Sequence, residues 1–405
     1  MKKVPPLPLH TRFALLLIIM TGPGFNPPAA CPLELAGYLS AEGRVFFEEP
    51  LSPDQEHNNG SLTIRPEYYH EWQDGSSFTF IPFLRLDSAD SERSHFDIRA
   101  MNYLRIAAHW ELRVGIDTVF WGATEFYHLV DIINQTDGVE AIDGEEKLGQ
   151  PMIHLSIPGK WGTGELFIMP WFRERTFAGR AGRLRVTPPV AVDQAMYEHT
   201  DGQHHVDLAL RYSHSLGIMD FGIYHFVGTG REPTLLSGID NRGRPALIPF
   251  YQQINQTGMD LQLVAGEWLW KLEAIYRRGQ GRDFFSATGG FEYTLVGVAG
   301  TTADVGILGE FAYDERGARA TTPFDNDVMA GLRLAWNDAA GTELLAGLSY
   351  DLDNSSRIFT LEASRRFGDR WKIFLESYLF AVHPEDIVYS LRDDDYISLE
   401  VAYYF

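Results

Sequence analysis

The chain of 405 residues holds one cysteine, Cys31, so no internal disulfide can brace it. It is also poor in positive charge: 34 lysines and arginines stand against 55 aspartates and glutamates, for a formal net charge of -21. The acids are dispersed along the whole length. Phosphate binding needs concentrated basic surface, so nucleic acid is excluded as a partner. After residue 30 no apolar run approaches the ~20 residues a membrane helix requires. Gly-x-Ser-x-Gly, His-Glu-x-x-His and phosphate-cradling glycine loops are all missing. No enzymatic activity and no cofactor are therefore expected; His225 and His383 are the nearest candidates for a general base.

Rings are what the chain does have. Aromatic residues make up 13% of it, with 18 Tyr, 26 Phe and 9 Trp, yet the mean hydropathy is only -0.17. At the N-terminus Lys2, Lys3 and Arg12 accompany the apolar run Phe13 to Met20, and the small residues Ala29 and Ala30 follow. This is the layout of a secretory signal peptide, expected over residues 1–30, leaving residues 31–405 as one exported domain. Cys31 directly behind it offers a lipidation position, although Pro28 stands where such sites carry an aliphatic residue.

The exported part repeats one pattern, period-two alternation over about ten residues. In Glu111 to Phe120, Leu112, Val114, Ile116 and Phe120 oppose Glu111, Arg113 and Asp117. In Val206 to Ser213, Val206, Leu208, Leu210 and Tyr212 oppose Asp207 and Arg211, and in Trp268 to Arg277, Trp270, Leu272 and Tyr276 oppose Lys271, Glu273 and Arg277. Gly164 to Arg173 is blurred, because Phe167, Met169 and Trp171 share the charged side. About eighteen such segments can be marked, an even count of the kind a closed bacterial barrel takes.

Alternation alone also suits a soluble sandwich. The connections separate the two readings. Short links such as DGSS, GKWGTG, HSLG, AGEW and FGDR alternate with long ones, including Glu48 to Gly60, Gly122 to Gln150, Glu174 to Gln203 and Gly230 to Gly258. Short turns on one rim and long loops on the other are the mark of an outer-membrane barrel. Trp268, Trp270, Trp336 and Trp371 cluster beside the short links, where amphipathic rings would meet a membrane boundary.

The ending, DYISLEVAYYF, carries a resemblance. Ile397, Leu399, Val401, Tyr403 and Phe405 form one apolar face that closes on an aromatic residue. With the signal peptide and the strand rhythm, this resembles the Gram-negative outer-membrane β-barrels, porin-like members included. FWGATEFYHLVDIINQTD and WLWKLEAIYRR look like defining segments of an uncharacterised family of such barrels. The resemblance implies an all-β fold, a single closed antiparallel transmembrane barrel of about 16 to 18 strands with long extracellular loops and short periplasmic turns, in the cell outer membrane. It implies outer-membrane lipid and lipopolysaccharide as surroundings, and recognition of the Tyr403–Phe405 end by the barrel-assembly machinery. A homotrimer and a monomer are both open. The last strand is expected to pair with the first near Tyr38 to Val45.

Function would then reside in the lumen, with a small hydrophilic solute or ion passing passively. The alternative is a non-conducting receptor, adhesin or anchor that acts through its loops. Within Gly122 to Gln150, residues Glu125 to Gln135 read as a helix, with Phe126, Leu129, Val130 and Ile133 on one stripe. The loop resembles the inward-folded third loop of general porins, which implies a constriction carrying Glu125, His128, Asp131, Asp137 and Glu140, with Asp143, Glu145 and Glu146 near its mouth. The expected lumen charges are Arg99, Arg105, Arg113, Asp117, Arg173, Arg211, Lys271, Glu273 and Arg277, within a wider inner-face set that includes Asp97, Glu310, Arg333, Glu362, Lys372 and Glu376. Arg173, Arg175, Arg180, Arg183 and Arg185 crowd the next stretch, FRERTFAGRAGRLR, where lumen-facing guanidiniums would oppose the acidic loop or bind anions. Glu198, His199, His204 and His205, and separately Asp393 to Asp395, are metal-capable but match no tight ligand spacing, so no metal is expected.

Overall fold

The computed structural model describes residues 35–405; the expected signal peptide and Cys31 lie outside the described residues. From Leu35–Phe46 to Tyr396–Tyr404 the chain builds one sheet of 18 strands in which each strand pairs antiparallel with its neighbours along the chain. The last strand pairs back on the first, from Tyr38 opposite Tyr404 to Phe46 opposite Tyr396, so the sheet closes where the sequence led one to expect. Closure leaves no strand edge and satisfies the backbone groups within the wall, the condition for crossing a bilayer with strands.

The alternation decides which way each side chain points. Along Trp268–Gly279, Trp270, Leu272 and Tyr276 are exposed on the outside, whereas Lys271, Glu273, Ile275 and Arg277 are buried inside. Leu208 and Leu210 face out while Asp207 and Ala209 face in. The tight links gather at one rim with both ends of the barrel. Leu216 pairs with Met219 and Ala265 with Trp268, leaving two-residue turns that begin on Gly217 and Gly266, whose positive φ of 65° and 64° suits hairpin turns of that length. Rings collect at this rim: Trp268 on Trp270 (5.5 Å), Trp161 on Tyr212 (5.9 Å) and Trp371 on Tyr403 (5.0 Å). Phe405 lies there too, its N–H donating to Gly37 O at 3.1 Å.

One bulge changes the expected facing. Between Ile81 and Pro82 the register against Phe96–Ile106 slips, leaving Arg99 without a partner residue. Asp97 and Arg99 are buried inside, but past the bulge Asn102 is the buried residue and Met101, Tyr103 and Arg105 are exposed. Arg105 is therefore not a lumen charge. It stands on the outer side with Tyr103 and meets Asp74 of the adjoining turn at 3.5 Å.

The opposite rim carries the long loops. Within them Thr234–Ile239 and Pro245–Tyr251 form a hairpin, which Met196–Tyr197 joins in parallel to make a separate three-stranded sheet. The loop over residues 118–149 turns into the barrel. Trp121, Leu129, Val130, Ile132 and Ile133 pack there against Phe167, Met169, Tyr224, Phe226, Ile275 and Phe284 of the wall. The inward facing of Phe167 and Met169 explains the blurred alternation of their strand: its inner side is apolar because a loop covers it.

Candidate functional site

Two loops divide the barrel interior. The first, residues 118–149, contains no helix over Glu125 to Gln135, contrary to the expectation from its apolar spacing. Several of its N–H groups are taken by carboxylates of the wall. Glu273, fully buried, accepts from Ala123 N (2.6 Å), Thr124 N (3.0 Å), Thr124 Oγ1 (2.8 Å) and Val130 N (3.0 Å). Glu310 accepts from Glu125 N (2.8 Å) and Phe126 N (3.1 Å). The Val130 N–H in mid-segment is thereby withdrawn from a helical ladder. Between those contacts the Phe126 ring enters a notch at Gly331 and Gly347, which face each other across two strands; a Cβ there would lie 2.9 Å and 2.6 Å from ring atoms.

Farther along, the loop ties to the opposite wall. Arg85 reaches Glu140 at 2.7 Å and Glu42 at 2.8 Å, and Arg99 reaches Asp137 at 2.6 Å. Arg93 joins Glu42 at 2.9 Å and donates to Val139 O at 3.0 Å, while Arg44 donates to Glu140 O at 2.8 Å. Burial acts to raise the Asp137 carboxyl, but the hydrogen bond from His95 and the charge of Arg99 hold it well below the usual carboxylate range. His95 is raised in turn, Asp137 overcoming the opposing effect of burial. Asp137 and Glu140 are thus anchors of the loop and do not line the open part of the lumen, because arginines of the wall have taken their oxygens. His95, Asp137 and Glu140 are also close enough to hold a metal, but the same arginines make the group an ion-pair network.

The second loop, residues 170–206, closes over the first. Arg173 pairs with Asp97 (2.5 Å), Arg180 with Asp240 (3.3 Å) and Arg183 with Asp394 (2.5 Å). Arg175 and Arg185 of the same stretch have no carboxylate partner among the described residues.

What the loops leave free is a cavity of about 800 Å³ against the strands from Asn326–Ala335 to Trp371–Ala381. On the wall it is lined by Arg333, Glu343, Leu345, Thr360, Glu362, Lys372, Phe374, Glu376, Tyr378 and Phe380, which run almost the length of the strands. Across from them stand Glu125, His128, Asp131, Asp143, Glu145 and Lys147 of the first loop and Arg175 and Arg185 of the second. Glu125 bridges Arg333 (2.7 Å) and Lys271 (3.2 Å), and Asp131 pairs with Lys147 (3.1 Å). His128 meets Glu145 at 3.3 Å, and this contact raises it against the opposing effect of burial. The position of Asp143 within the barrel, beside Glu145, Glu376 and Glu362, pushes its carboxyl, exposed to the cavity, up to about 7.

Three of the five expected constriction residues, Glu125, His128 and Asp131, therefore face the cavity. The expected lumen charges divide differently. Arg99, Arg113, Asp117, Arg173, Arg211, Lys271, Glu273 and Arg277 belong to the filled side and are spent there: Arg113 binds Asp117, Arg211 meets Asp260 at 2.7 Å, and Arg277 meets Glu232 at 3.1 Å. A wet interior holds for one side only. From the wider inner-face set, Arg333, Glu362, Lys372 and Glu376 line the cavity. Arg85 and Arg93, not singled out from the sequence, anchor the loop; Arg85 was legible in the alternation of Phe83, Arg85 and Asp87 against Leu84 and Leu86.

The other candidates form no single ligand set. Glu198 accepts from Gln253 N (2.6 Å), His204 packs on Trp171 (4.5 Å), and His205 pairs with Asp207 (2.9 Å) while its ring meets His199 at 4.6 Å. Asp394 serves Arg183, and Asp395 accepts from Phe380 N at 2.6 Å. His225 faces outward with Ile223 and Val227, its ring on Thr257 Oγ1 at 2.8 Å.

A closed antiparallel wall, an apolar outer face, a ring-rich rim and a polar interior partly filled by loops define a membrane-spanning β-barrel of the outer-membrane type. No protein-family model matches the chain, and no curated protein matches it. Solved structures are similar in fold. Pseudomonas aeruginosa OpdQ aligns over 92% of this chain and 96% of its own at 11% identity and a TM-score of 0.49. A triple mutant of Rhodopseudomonas blastica porin aligns over 92% and 100% at 13% identity and 0.45. OmpT, an outer membrane protein of Vibrio cholerae, in its trimer form, aligns over 92% and 99% at 8% and 0.45. No residue role passes from them to this chain.

Proposed function

We propose that the chain is a porin-like channel for passive passage of small hydrophilic solutes or ions, with the cavity beside residues 118–149 as its path. The observation that carries this reading is the extent of that cavity: its lining runs from Glu343 and Lys372, at the turn rim, to Ile387 and Ser390, among the outer loops. The path has charge on both sides. Glu343, Glu362 and Glu376 lie on the wall, and Arg175 and Arg185 lie on the facing loop. Charged rings and rows of this kind set ion preference in wide pores.

The test is single-channel recording of the purified folded barrel in planar bilayers, with a salt gradient to read the sign of selectivity. Discrete conductance steps are expected. Their absence from protein of verified fold would overturn the reading in favour of a receptor, adhesin or anchor. Deleting Ala123 to Glu146 separates the two further. A channel gains conductance severalfold, whereas a non-conducting barrel begins to conduct only after the deletion. We also read Tyr403, half-buried, and Phe405, exposed, both at the turn rim, as the end that the assembly machinery binds.

A further inference from the structure

Most arginines of the interior are paired, and the exceptions are informative. Among the described residues Arg242, Arg319, Arg357, Arg366 and Arg370 lack a carboxylate partner, but all are exposed. Arg175 and Arg185 lack one while enclosed. Arg185 is only 5% exposed; its Nη1 donates to Val186 O (3.1 Å) and Thr187 Oγ1 (3.3 Å), and its Nε is buried without a partner. Arg175 is half-buried, its Nε is likewise orphaned, and among the described residues its guanidinium donates no hydrogen bond. Both line the cavity.

A guanidinium stays charged when buried, so an uncompensated one is costly unless an anion reaches it. The nearby carboxylate does not serve. Glu232 is committed to Arg277 (3.1 Å) and to the Thr321 hydroxyl (2.9 Å). Apolar surface adjoins the free cation: Arg175 lies over the Phe177 ring at 5.6 Å, and both line the cavity.

We infer that Arg175 forms a binding station for a carboxylate carried on a small apolar or aromatic body. The guanidinium fork takes the carboxylate through charge-assisted hydrogen bonds, and Phe177 takes the body. The station deepens the channel reading by naming a solute class, and it rests on that reading only for the claim that the bound solute then crosses.

The test uses the full folded barrel in detergent micelles and measures benzoate binding by ligand-observed nuclear magnetic resonance, with cyclohexanol and inorganic phosphate as comparison probes. Benzoate is expected to bind, and Arg175→Gln to weaken it by about tenfold or more. Arg175→Lys should recover part of the affinity, and Arg282→Gln, at an exposed rim pair with Glu315, should leave it unchanged. Resistance of the folded barrel to detergent denaturation shows that each variant has folded. Equal benzoate binding by the wild type and by Arg175→Gln, or no binding by the wild type, overturns the station. Phosphate bound as tightly as benzoate overturns the assignment of a carboxylate with an apolar body. Planar-bilayer recording distinguishes the two claims: Arg175-dependent binding without conductance defeats the channel and keeps the station, and conductance without benzoate binding does the reverse.

Discussion

The two sides of the lumen share one wall design and differ in what faces it. On the filled side, from Leu35–Phe46 round to Asp304–Asp314, inward charges end in buried pairs or in caps on loop backbone: Arg85 with Glu42 and Glu140, Arg99 with Asp137, and Glu273 with four donors of the first loop. On the open side, from Asn326–Ala335 to Trp371–Ala381, Glu362 and Lys372 point the same way yet meet the cavity. An inward charge is therefore not by itself a pore-lining charge. The loop it faces decides whether it anchors structure or meets solute.

Breaking an anchor should separate the two sides most strongly. Arg85→Ala leaves Glu42 and Glu140 buried with less compensation, an expected loss of about 3–5 kcal/mol in stability against urea. The loop should also become accessible to protease in residues 137–146. If stability is unchanged, the arginine cluster does not hold the loop.

The opposite attachment gives the next effect. Glu273→Ala leaves the N–H groups of Ala123, Thr124 and Val130 without an acceptor, at a cost of about 3 kcal/mol. Amide hydrogen exchange over residues 123–130 should accelerate, while exchange in the wall strands stays slow. Uniform acceleration would show that the wall, and not the loop, depends on Glu273.

Filling the notch is milder. Gly347→Leu forces the Phe126 ring out of its seat, and overpacking of this kind costs about 1–3 kcal/mol. Because Phe126 borders the cavity, single-channel conductance should change while the barrel stays folded.

The smallest effect is a titration. The Asp143 carboxyl, raised to about 7, is mostly protonated below that pH and negative above it. Cation preference should therefore rise by about twofold between pH 6 and 8, and Asp143→Asn should flatten the rise. Asp137 provides the contrast. Its pKa is depressed, so its contribution to stability is complete above the unfolded carboxylate value of about 4 and is lost only as pH falls toward the lower folded value. The anchor should then outlast the selectivity change, with the loop still protected from protease at pH 5.

Much of the wall was legible beforehand. Trp270, Leu272 and Tyr276 against Lys271, Glu273 and Arg277 gave both the strand and its facing, because a period of two admits only two sides. Arg105 failed for a local reason: the bulge at Arg99 reverses the facing, and nothing in FDIRAMNYLR announces it. The hairpin Thr234–Ile239 and Pro245–Tyr251 is marked in the sequence only by the turn-like segment Asn241 to Arg244 between two apolar runs. The helix over Glu125 to Gln135 failed because its apolar spacing is real but serves packing inside a barrel, and wall carboxylates claim several of its donors.

By itself the sequence determined most of the wall: a count of about 16 to 18 strands, the facing of those without a bulge, the two classes of connection, the ring-rich rim and the pairing of the last strand with the first all follow from local alternation and turn chemistry. Only the tertiary structure decided which inward charges meet the cavity. Asp137 and Glu145 lie in the same acidic loop and look alike in the sequence, but one sits beneath Arg99 and the other faces the cavity beside His128. That choice depends on contacts between residues far apart along the chain, such as Glu273 with Ala123 and Arg183 with Asp394, which no periodicity records.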